Sequence, residues 1–278
     1  MEPNNNTFTF NFTTWDDFVR TSNYGESLIP ISNRESRSTY SNEFFGTTTF
    51  EEAINLALNG WPEGADKIMK GLEITLNDIP SYGYTREVVR QVRGPGVLDF
   101  HRYSIGHPQA MISWNKKYVS IQSGKIVRIL VNIGARSIVS PSTIIQQGVY
   151  ICSLIDHLES LGRRVELDIV SLASDKERKA RILVQVKVKK AQDPLDINRI
   201  AFAVAHPSCL RRLIFSLREQ TPATFLRTLN IRSGGGYGFS LSYKETGPIV
   251  LGYLSCDEDF SMERIKGQLA QQGIEVLI

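Results

Sequence analysis

The side chains best suited to chemistry by type and spacing are basic ones in the second half of the chain. Lys187 and Lys189 stand two residues apart in an alternating segment, so they are predicted to share one face of a strand. Ammonium groups on such a face can meet the phosphates of a nucleic acid. Lysines on an edge strand also discourage edge-to-edge pairing, which is the structural alternative. The nucleic-acid hypothesis uses Lys187, Lys189, Lys190, Arg211 and Arg212.

Sequence signatures of an enzyme are weak. The four histidines have no metal-ligand spacing and the three cysteines lie far apart. The glycine run Gly234–Gly236 lacks the lysine and the hydroxyl residue of a phosphate-binding Walker A loop. Carboxylates near predicted strand ends, among them Glu166, Asp168 and Asp257, leave a metal-dependent hydrolase as a weaker hypothesis. We expect no catalytic residue and a protein that is not an enzyme.

Composition and charge restrict the class of protein. With 278 residues and 41% hydrophobic content, the chain is long and apolar enough to bury a large core. A net charge of +3 argues against a protein that coats polyanions. The first sixty residues hold eight acidic and only three basic side chains, so the remainder is more basic than the total suggests. No signal peptide and no apolar stretch of membrane-spanning length is apparent, so we expect a cytoplasmic protein without a membrane partner.

The first part of the chain is predicted to be mainly helical. Alternation of Thr or Asn with Phe over residues 7–12 indicates a short strand, and Thr14 is suited to cap a helix. Thr49 and Glu52 form a capping-box pattern that opens an αα-hairpin over residues 49–77. We assign residues 1–123 to this N-terminal region.

From residue 124 onwards the pattern predicts an α/β domain that reaches residue 278. Apolar strands alternate with amphipathic helices in the order strand, helix, strand, hairpin strand, helix, strand, helix, strand. A helix over residues 261–273 and a strand over residues 274–278 complete this order. The fold class is therefore α/β, with an open, mostly parallel sheet and residues 180–188 as an antiparallel edge strand.

This order, with its antiparallel third strand, resembles the von Willebrand factor A-like domain, a Rossmann-like fold. Residues 128–137 stand where that family has its first strand and metal-binding loop. The chain as a whole also resembles an uncharacterised family of phage and plasmid proteins. The segments that carry this second resemblance are 50–53, 60–64, 106–108 with Met111, 205–207 and 210–213. The second resemblance implies no activity.

The resemblance to A-type domains implies a metal loop whose ligand positions are changed. The family has an aspartate and two serines there, and this chain has Asn132, Gly134 and Arg136. Glycine offers no side-chain oxygen, and arginine repels a cation that needs oxygen ligands. Ser137 fits a serine position only after a one-residue slip. The remaining positions that we assign to this binding surface are Ser140 and Asp257.

These observations favour a non-enzymatic interaction or assembly protein of a phage or other mobile element. Its binding surface is expected at the carboxyl ends of the strands, around residues 132–140 and after residue 254, because open α/β sheets bind ligands there. We expect a protein partner, no cofactor and no Mg²⁺. Nucleic-acid binding through the basic second half is the alternative.

Overall fold

A mixed β-sheet forms the centre of the protein. The computed structural model describes residues 6–29, 43–68, 85–91, 97–117, 126–160, 162–231 and 236–256. Its strands are β1 (Thr7–Phe12), β2 (Thr85–Gln91), β3 (Val97–Leu98), β4 (Met111–Lys117), β5 (Ile126–Ala135), β6 (Arg164–Ser174), β7 (Arg181–Lys189), β8 (Phe239–Leu241) and β9 (Ile249–Leu254). The fold class is α/β, as the sequence predicts.

Helices connect and cover these strands. They are α1 (Trp15–Tyr24), α2 (Phe50–Asn59), α3 (Phe100–Ser104), α4 (Pro141–Ser160), α5 (Ile197–Ala205), α6 (Phe215–Glu219) and α7 (Ala223–Thr228), with a π-helical segment, Cys209–Ile214, between α5 and α6. Residues 62–68 are also helical. The predicted caps are present, since Thr14 accepts from the Asp17 N–H and Thr49 from the Glu52 N–H.

The central strand order is β1-β7-β6-β5-β9, and β8 pairs with β6 beyond this path. The pairs β5·β6, β5·β9 and β1·β7 are parallel, whereas β6 pairs antiparallel with both β7 and β8. The sheet is therefore mostly parallel. The predicted antiparallel strand is β7. Its expected position at the edge of the sheet is wrong, because β1 pairs along the outer side of β7.

The strand β1 joins residues from the two predicted domains in one sheet. Residues 1–123 were expected to form a separate, mainly helical region with a short strand at 7–12, yet this strand, Thr7–Phe12, pairs in register with Arg181–Val186 of the second predicted domain. Helices α1 and α2 also contribute buried side chains to the same hydrophobic core as β5, β6 and β7. The proposed boundary between residues 123 and 124 lies outside the described residues.

One face of the central sheet packs against helices. Along β6, Val165, Leu167 and Ile169 are buried in the helix-covered core, whereas the intervening Glu166 and Asp168 are half-buried on the other face. This alternation follows from the two-residue period of a strand. It leaves polar side chains on the face opposite the helices.

The helices α4 and α5, which cover this face of the sheet, pack closely against each other. A Cβ atom at Gly148 in α4 would lie 2.3 Å from the Ala205 Cα in α5, so only glycine permits this approach. The buried apolar residues of α5 include Ile200, Phe202 and Val204. Their burial stabilises the sheet by the hydrophobic effect, at roughly 25 cal/mol for each Å² of apolar area removed from water.

A second, smaller sheet has the order β2-β4-β3, with both pairs antiparallel.

Within the described ranges, no single helix has the length and apolar composition to cross a membrane. Only the bent pair Ile197–Ala205 and Cys209–Glu219 has them, when its two helices are counted together. The predicted helix at 261–273, the strand at 274–278 and the second half of the αα-hairpin (69–77) lie outside the described residues.

Candidate functional site

At the carboxyl end of β5, the chain enters the loop over residues 132–140, where the sequence predicts a binding surface. The Asn132 side chain is 1% exposed, and both ends of its amide are bonded. Its Oδ1 accepts a hydrogen bond from the Gly134 N–H at 2.9 Å, and its Nδ2 donates to the Leu241 carbonyl at 3.0 Å. Asn132 therefore ties this loop to β8 through neutral hydrogen bonds.

Gly134 is required by the position of that amide. A Cβ atom at Gly134 would lie 2.8 Å from the Asn132 Oδ1, closer than such contacts allow. A serine in this position would displace the amide that joins β5 to β8. Residues 132 and 134 are thus coupled to each other by packing.

The next residues turn towards solvent. Arg136 and Ser137 are exposed, and Ile138 is 69% exposed although it is large and apolar. The Arg136 N–H donates to the Leu254 carbonyl at 3.1 Å, which holds this turn against the end of β9. The backbone of the turn is fixed while its side chains remain accessible.

Ser140 has a helix-capping role. Its Oγ accepts from the Thr143 N–H at 3.2 Å and lies 2.9 Å from the Thr143 Oγ1, at the start of α4. This satisfies a donor that the first turn of a helix otherwise leaves unpaired. Asp257 lies outside the described residues. In the part of the chain that the structure describes, no three His, Cys, Asp or Glu side chains are grouped to hold a metal ion.

Lys187 lies in an ionic cluster on the polar face of the sheet. Its Nζ is 2.5 Å from the Glu166 Oε1, 2.8 Å from the Asp168 Oδ1 and 3.0 Å from the Asp168 Oδ2. The Arg128 Nε lies 3.2 Å from the other Glu166 oxygen. The pairing of β5, β6 and β7 sets these positions, because Arg128 lies opposite Glu166 and Lys187 opposite Asp168.

The two carboxylates of this cluster differ in their pKa values. The hydrogen bond from Lys187 lowers the pKa of Glu166 below its ordinary value. Burial raises the pKa of Asp168, and the hydrogen bond from Lys187 offsets only part of that effect. Burial opposes the charged form of Lys187, yet hydrogen bonds to both carboxylates raise its pKa overall. Lys187 is therefore a protonated bridge at neutral pH.

The two-residue spacing predicts that Lys187 and Lys189 share one strand face, but the structure places them in different environments. A register shift between Leu167 and Asp168 places an extra residue of β7 between the two lysines. The Lys189 Nζ is buried and donates to the Glu159 Oε1 at 2.8 Å and to the Val165 carbonyl at 3.0 Å. The bulge therefore separates the two lysines.

The arginines of the nucleic-acid hypothesis are buried. Arg211 donates to the carbonyls of Phe44 and Val139 at 2.8 and 2.7 Å, and Arg212 donates to the Thr47 carbonyl at 3.2 Å. Their relative exposures are 1% and 0%, and burial lowers the pKa of Arg211 to about 10. Both guanidinium groups join the π-helical segment to residues 44–48. Of the five basic residues, only Lys190 is exposed.

Two segments of the phage and plasmid resemblance meet at this junction. The Trp61 and His206 rings lie 4.6 Å apart edge to face, and the His206 Nδ1 accepts from the Ser208 N–H. Burial, with a smaller effect of the charge on Lys67, lowers the pKa of His206 to about 4. The Ser208 Oγ donates to the Phe45 carbonyl at 2.6 Å. These residues connect the N-terminal helices to α5 and the π-helical segment.

A polar cleft of about 540 Å³ opens beside the ionic cluster. Its walls come from the end of β1, the start of β5, the first half of β6, the second half of β7, and the turn after β7. The lining residues are Asn11, Phe12, Thr13, Ile126, Glu166, Asp168, Gln185, Lys187, Lys190, Ala191 and Gln192. The volume lies within the range of small-molecule sites, roughly 300–1,000 Å³.

Sequence reasoning found only part of this cleft. It noted Glu166 and Asp168 as carboxylates near strand ends and Lys187 as a basic residue, but it did not join them. The available signal was the two-residue spacing of Glu166 with Asp168 and of Gln185 with Lys187, which puts each pair on one strand face. Asn11 had no such signal, because β1 was not expected in this sheet.

A family model described as a domain of unknown function (DUF7192) matches residues 2–276. The chain belongs to the DUF7192 family. The DUF7192 match includes β1 and β9, and so spans both predicted domains. The family description brings no activity with it. No curated protein and no solved structure matches the chain.

Proposed function

We propose that this DUF7192 protein is a non-enzymatic interaction or assembly protein of a phage or other mobile element, built on an A-type-like scaffold. The strand order β7-β6-β5-β9, with β7 antiparallel, supports the A-type-like part of the proposal. The antiparallel third strand is the feature on which the resemblance was based. The resemblance in residues 60–64 and 205–207 supports the mobile-element part.

The observation that carries the proposal is the state of Asn132. A divalent cation needs several oxygen ligands turned towards one point. The Asn132 oxygen is instead bonded to the Gly134 N–H, and Gly134 has no side chain to add. The loop thus keeps the fold by neutral hydrogen bonds, which supports a binding surface that functions without Mg²⁺.

The partner surface is the turn that follows. Arg136, Ser137 and Ile138 are exposed on a backbone held to β9, and an exposed aliphatic side chain beside a cation suits a protein partner. Such a partner has an apolar pocket for Ile138 and an acidic group for Arg136. Burial of Ile138 on binding would remove apolar surface from water.

Nucleic-acid binding has less support than a protein partner. Phosphate contacts need cationic groups at the surface, and the side chains of Lys189, Arg211 and Arg212 are buried and bonded within the protein. A metal-dependent hydrolase has no supporting cluster within the described residues.

Thermal unfolding with and without Mg²⁺ tests the proposal. We expect millimolar Mg²⁺ to leave the Tm unchanged relative to NaCl of equal ionic strength. A ligand at 100 times its Kd would stabilise the fold by about 2.7 kcal/mol, enough for a shift of several degrees. A Tm rise of that size, specific for Mg²⁺, would contradict a metal-independent loop.

A further inference from the structure

The polar cleft lies apart from the carboxyl-end turn and needs its own explanation. Glu166 and Asp168 lie near the start of β6, whereas Arg136 follows the end of β5. Because β5 and β6 are parallel, these are opposite ends of the sheet. A ligand in the cleft therefore occupies a second site, independent of the proposed partner surface.

The floor of the cleft is a closed ionic network. The Lys187 ammonium bridges both carboxylates at 2.5–3.0 Å, and Arg128 pairs with the outer oxygen of Glu166. The side chains of Glu166, Asp168 and Lys187 are each about one-fifth exposed. These groups hold one another in place, so the cleft is preorganised before any ligand arrives.

The charges of the ionic network balance. Two carboxylates, Glu166 and Asp168, are paired with two cations, Lys187 and Arg128, whereas Lys190, which also lines the cleft, is exposed. A strongly charged ligand would leave one charge of the network uncompensated in a partly desolvated site, which is costly. A neutral, polar ligand avoids this cost.

The remaining polar lining is made of amides and a hydroxyl. Asn11, Gln185 and Gln192 each offer N–H donors and a carbonyl acceptor, and Thr13 offers a hydroxyl. The Glu166 oxygens and the Asp168 Oδ2 keep acceptor capacity beyond their ion pairs, since an ionised carboxylate has about four lone-pair sites, whereas the Asp168 Oδ1 is buried. Ligand hydroxyls both donate and accept, so they match carboxylate acceptors and amide donors in the same cleft.

From this arrangement we propose that the cleft binds a small, neutral, polyhydroxylated ligand, with adjacent hydroxyls on the Glu166 and Asp168 carboxylates and the amides of Asn11 and Gln185 around it. The shared chemistry is a vicinal diol on a ring. A free sugar and the ribose of a nucleoside both carry it. The exposed Ile126 and the stem of Lys190 offer apolar contact to the ring faces.

Isothermal titration calorimetry at neutral pH tests the site with D-glucose, D-ribose and adenosine as separate probes. We expect saturable binding of at least one probe at or below about 10 mM. A free-sugar site binds glucose or ribose as well as adenosine, whereas a nucleoside site favours adenosine by at least about tenfold. No binding by any of the three would overturn the proposal.

Matched variants on β1 localise the binding. Asn11 lines the cleft, and Thr9 is an exposed residue of the same face and strand that does not line it. Asn11→Ala and Gln185→Leu are expected to weaken binding at least about tenfold, and Thr9→Ala to leave it unchanged. Since Asn11 and Thr9 are both exposed, each alanine variant should keep the wild-type Tm. Equal affinity in all variants would place the ligand elsewhere and refute the cleft, without bearing on the Mg²⁺ experiment.

Discussion

The two ends of the central sheet use different chemistry to hold neighbouring strands together. At the carboxyl end of β5, one buried amide, that of Asn132, bonds two backbone groups. At the other end, Lys187 joins Glu166 and Asp168 through charge in a solvent-accessible cleft. The first end is neutral and fixed at its backbone, whereas the second is ionic and fixed through side chains.

This difference shows where each end tolerates change. A neutral amide in a buried site avoids the desolvation cost of a carboxylate. An ionic network in a partly exposed cleft depends on pH and on each of its partners. We expect exposed side chains next to the neutral end, such as Ile138, to tolerate substitution without loss of stability.

The largest effect is expected at the neutral end. Asn132→Leu removes the amide at similar volume and leaves the Gly134 N–H and the Leu241 carbonyl without their partner. Each such group costs about 1–3 kcal/mol, so for the two groups we expect a loss of about 2–6 kcal/mol in the free energy of unfolding. Urea denaturation measures this loss. A change below about 1 kcal/mol would mean that water replaces the amide and that this end is not fixed by Asn132.

A smaller loss is expected at the ionic end. Lys187→Met leaves Glu166 and Asp168 facing each other without their bridge, and we expect a loss of about 1–3 kcal/mol. Arg128→Met is the matched control, since its side chain is 72% exposed and an exposed ion pair contributes about 0–1 kcal/mol. Urea denaturation of both variants separates the bridge from the outer pair. Equal effects of the two substitutions would contradict the central place of Lys187.

Acid should affect the ionic end and spare the neutral one. The lowered pKa of Glu166 gives stability that is present above its unfolded value of 4.5 and is lost as the pH falls through the folded value. The raised pKa of Asp168 acts in the opposite sense, since its protonation is favoured in the fold. Carboxyl ¹³C NMR from pH 7 to 2 should show Asp168 titrating above 3.8 and Glu166 below 4.5.

The same titration tests the other end of the sheet. The amide resonance of Gly134 should stay unchanged while Asp168 titrates, because its partner Asn132 does not ionise. A Gly134 shift that follows the Asp168 titration would show that the two ends are coupled. The Gln185 amide resonance, beside Asp168, is the positive control.

The smallest effect is expected at the exposed turn. Ile138→Ser removes a side chain that is 69% exposed, so we expect a change within about 0.5 kcal/mol in the free energy of unfolding. Thermal and urea unfolding measure it. A loss above about 1 kcal/mol would show that Ile138 packs into the fold and is not available to a partner.

Local sequence patterns were sufficient to predict features in which a side chain bonds to its own segment of the chain. The caps at Thr14 and Thr49 were predicted from residue type and spacing, and the structure has both. The strand at residues 7–12 was also predicted, but not its place beside β7. Pairing across more than 160 residues leaves no periodic signal in a single sequence, because many registers bury the same alternating face.

The candidate sites show the same division. Asn132 and Gly134 were singled out in the sequence, but the hydrogen bond between them was not predicted. The sequence did not distinguish the basic residues from one another. In the structure Lys187 bridges two carboxylates, whereas Arg211 and Arg212 are buried against backbone carbonyls. Burial of a guanidinium depends on which distant carbonyls surround it, and composition does not contain that information.

The amino-acid sequence by itself determined the α/β class, the helix caps and the alternating strand faces. These properties depend on residues within one turn or one strand of each other. Only the tertiary structure decided that β1 lies outside β7, that a bulge separates Lys187 from Lys189, and that Glu166, Asp168, Gln185 and Asn11 line one cleft. Strand register and neighbours are settled by packing of the whole sheet against its helices, and that packing is a property of the folded chain.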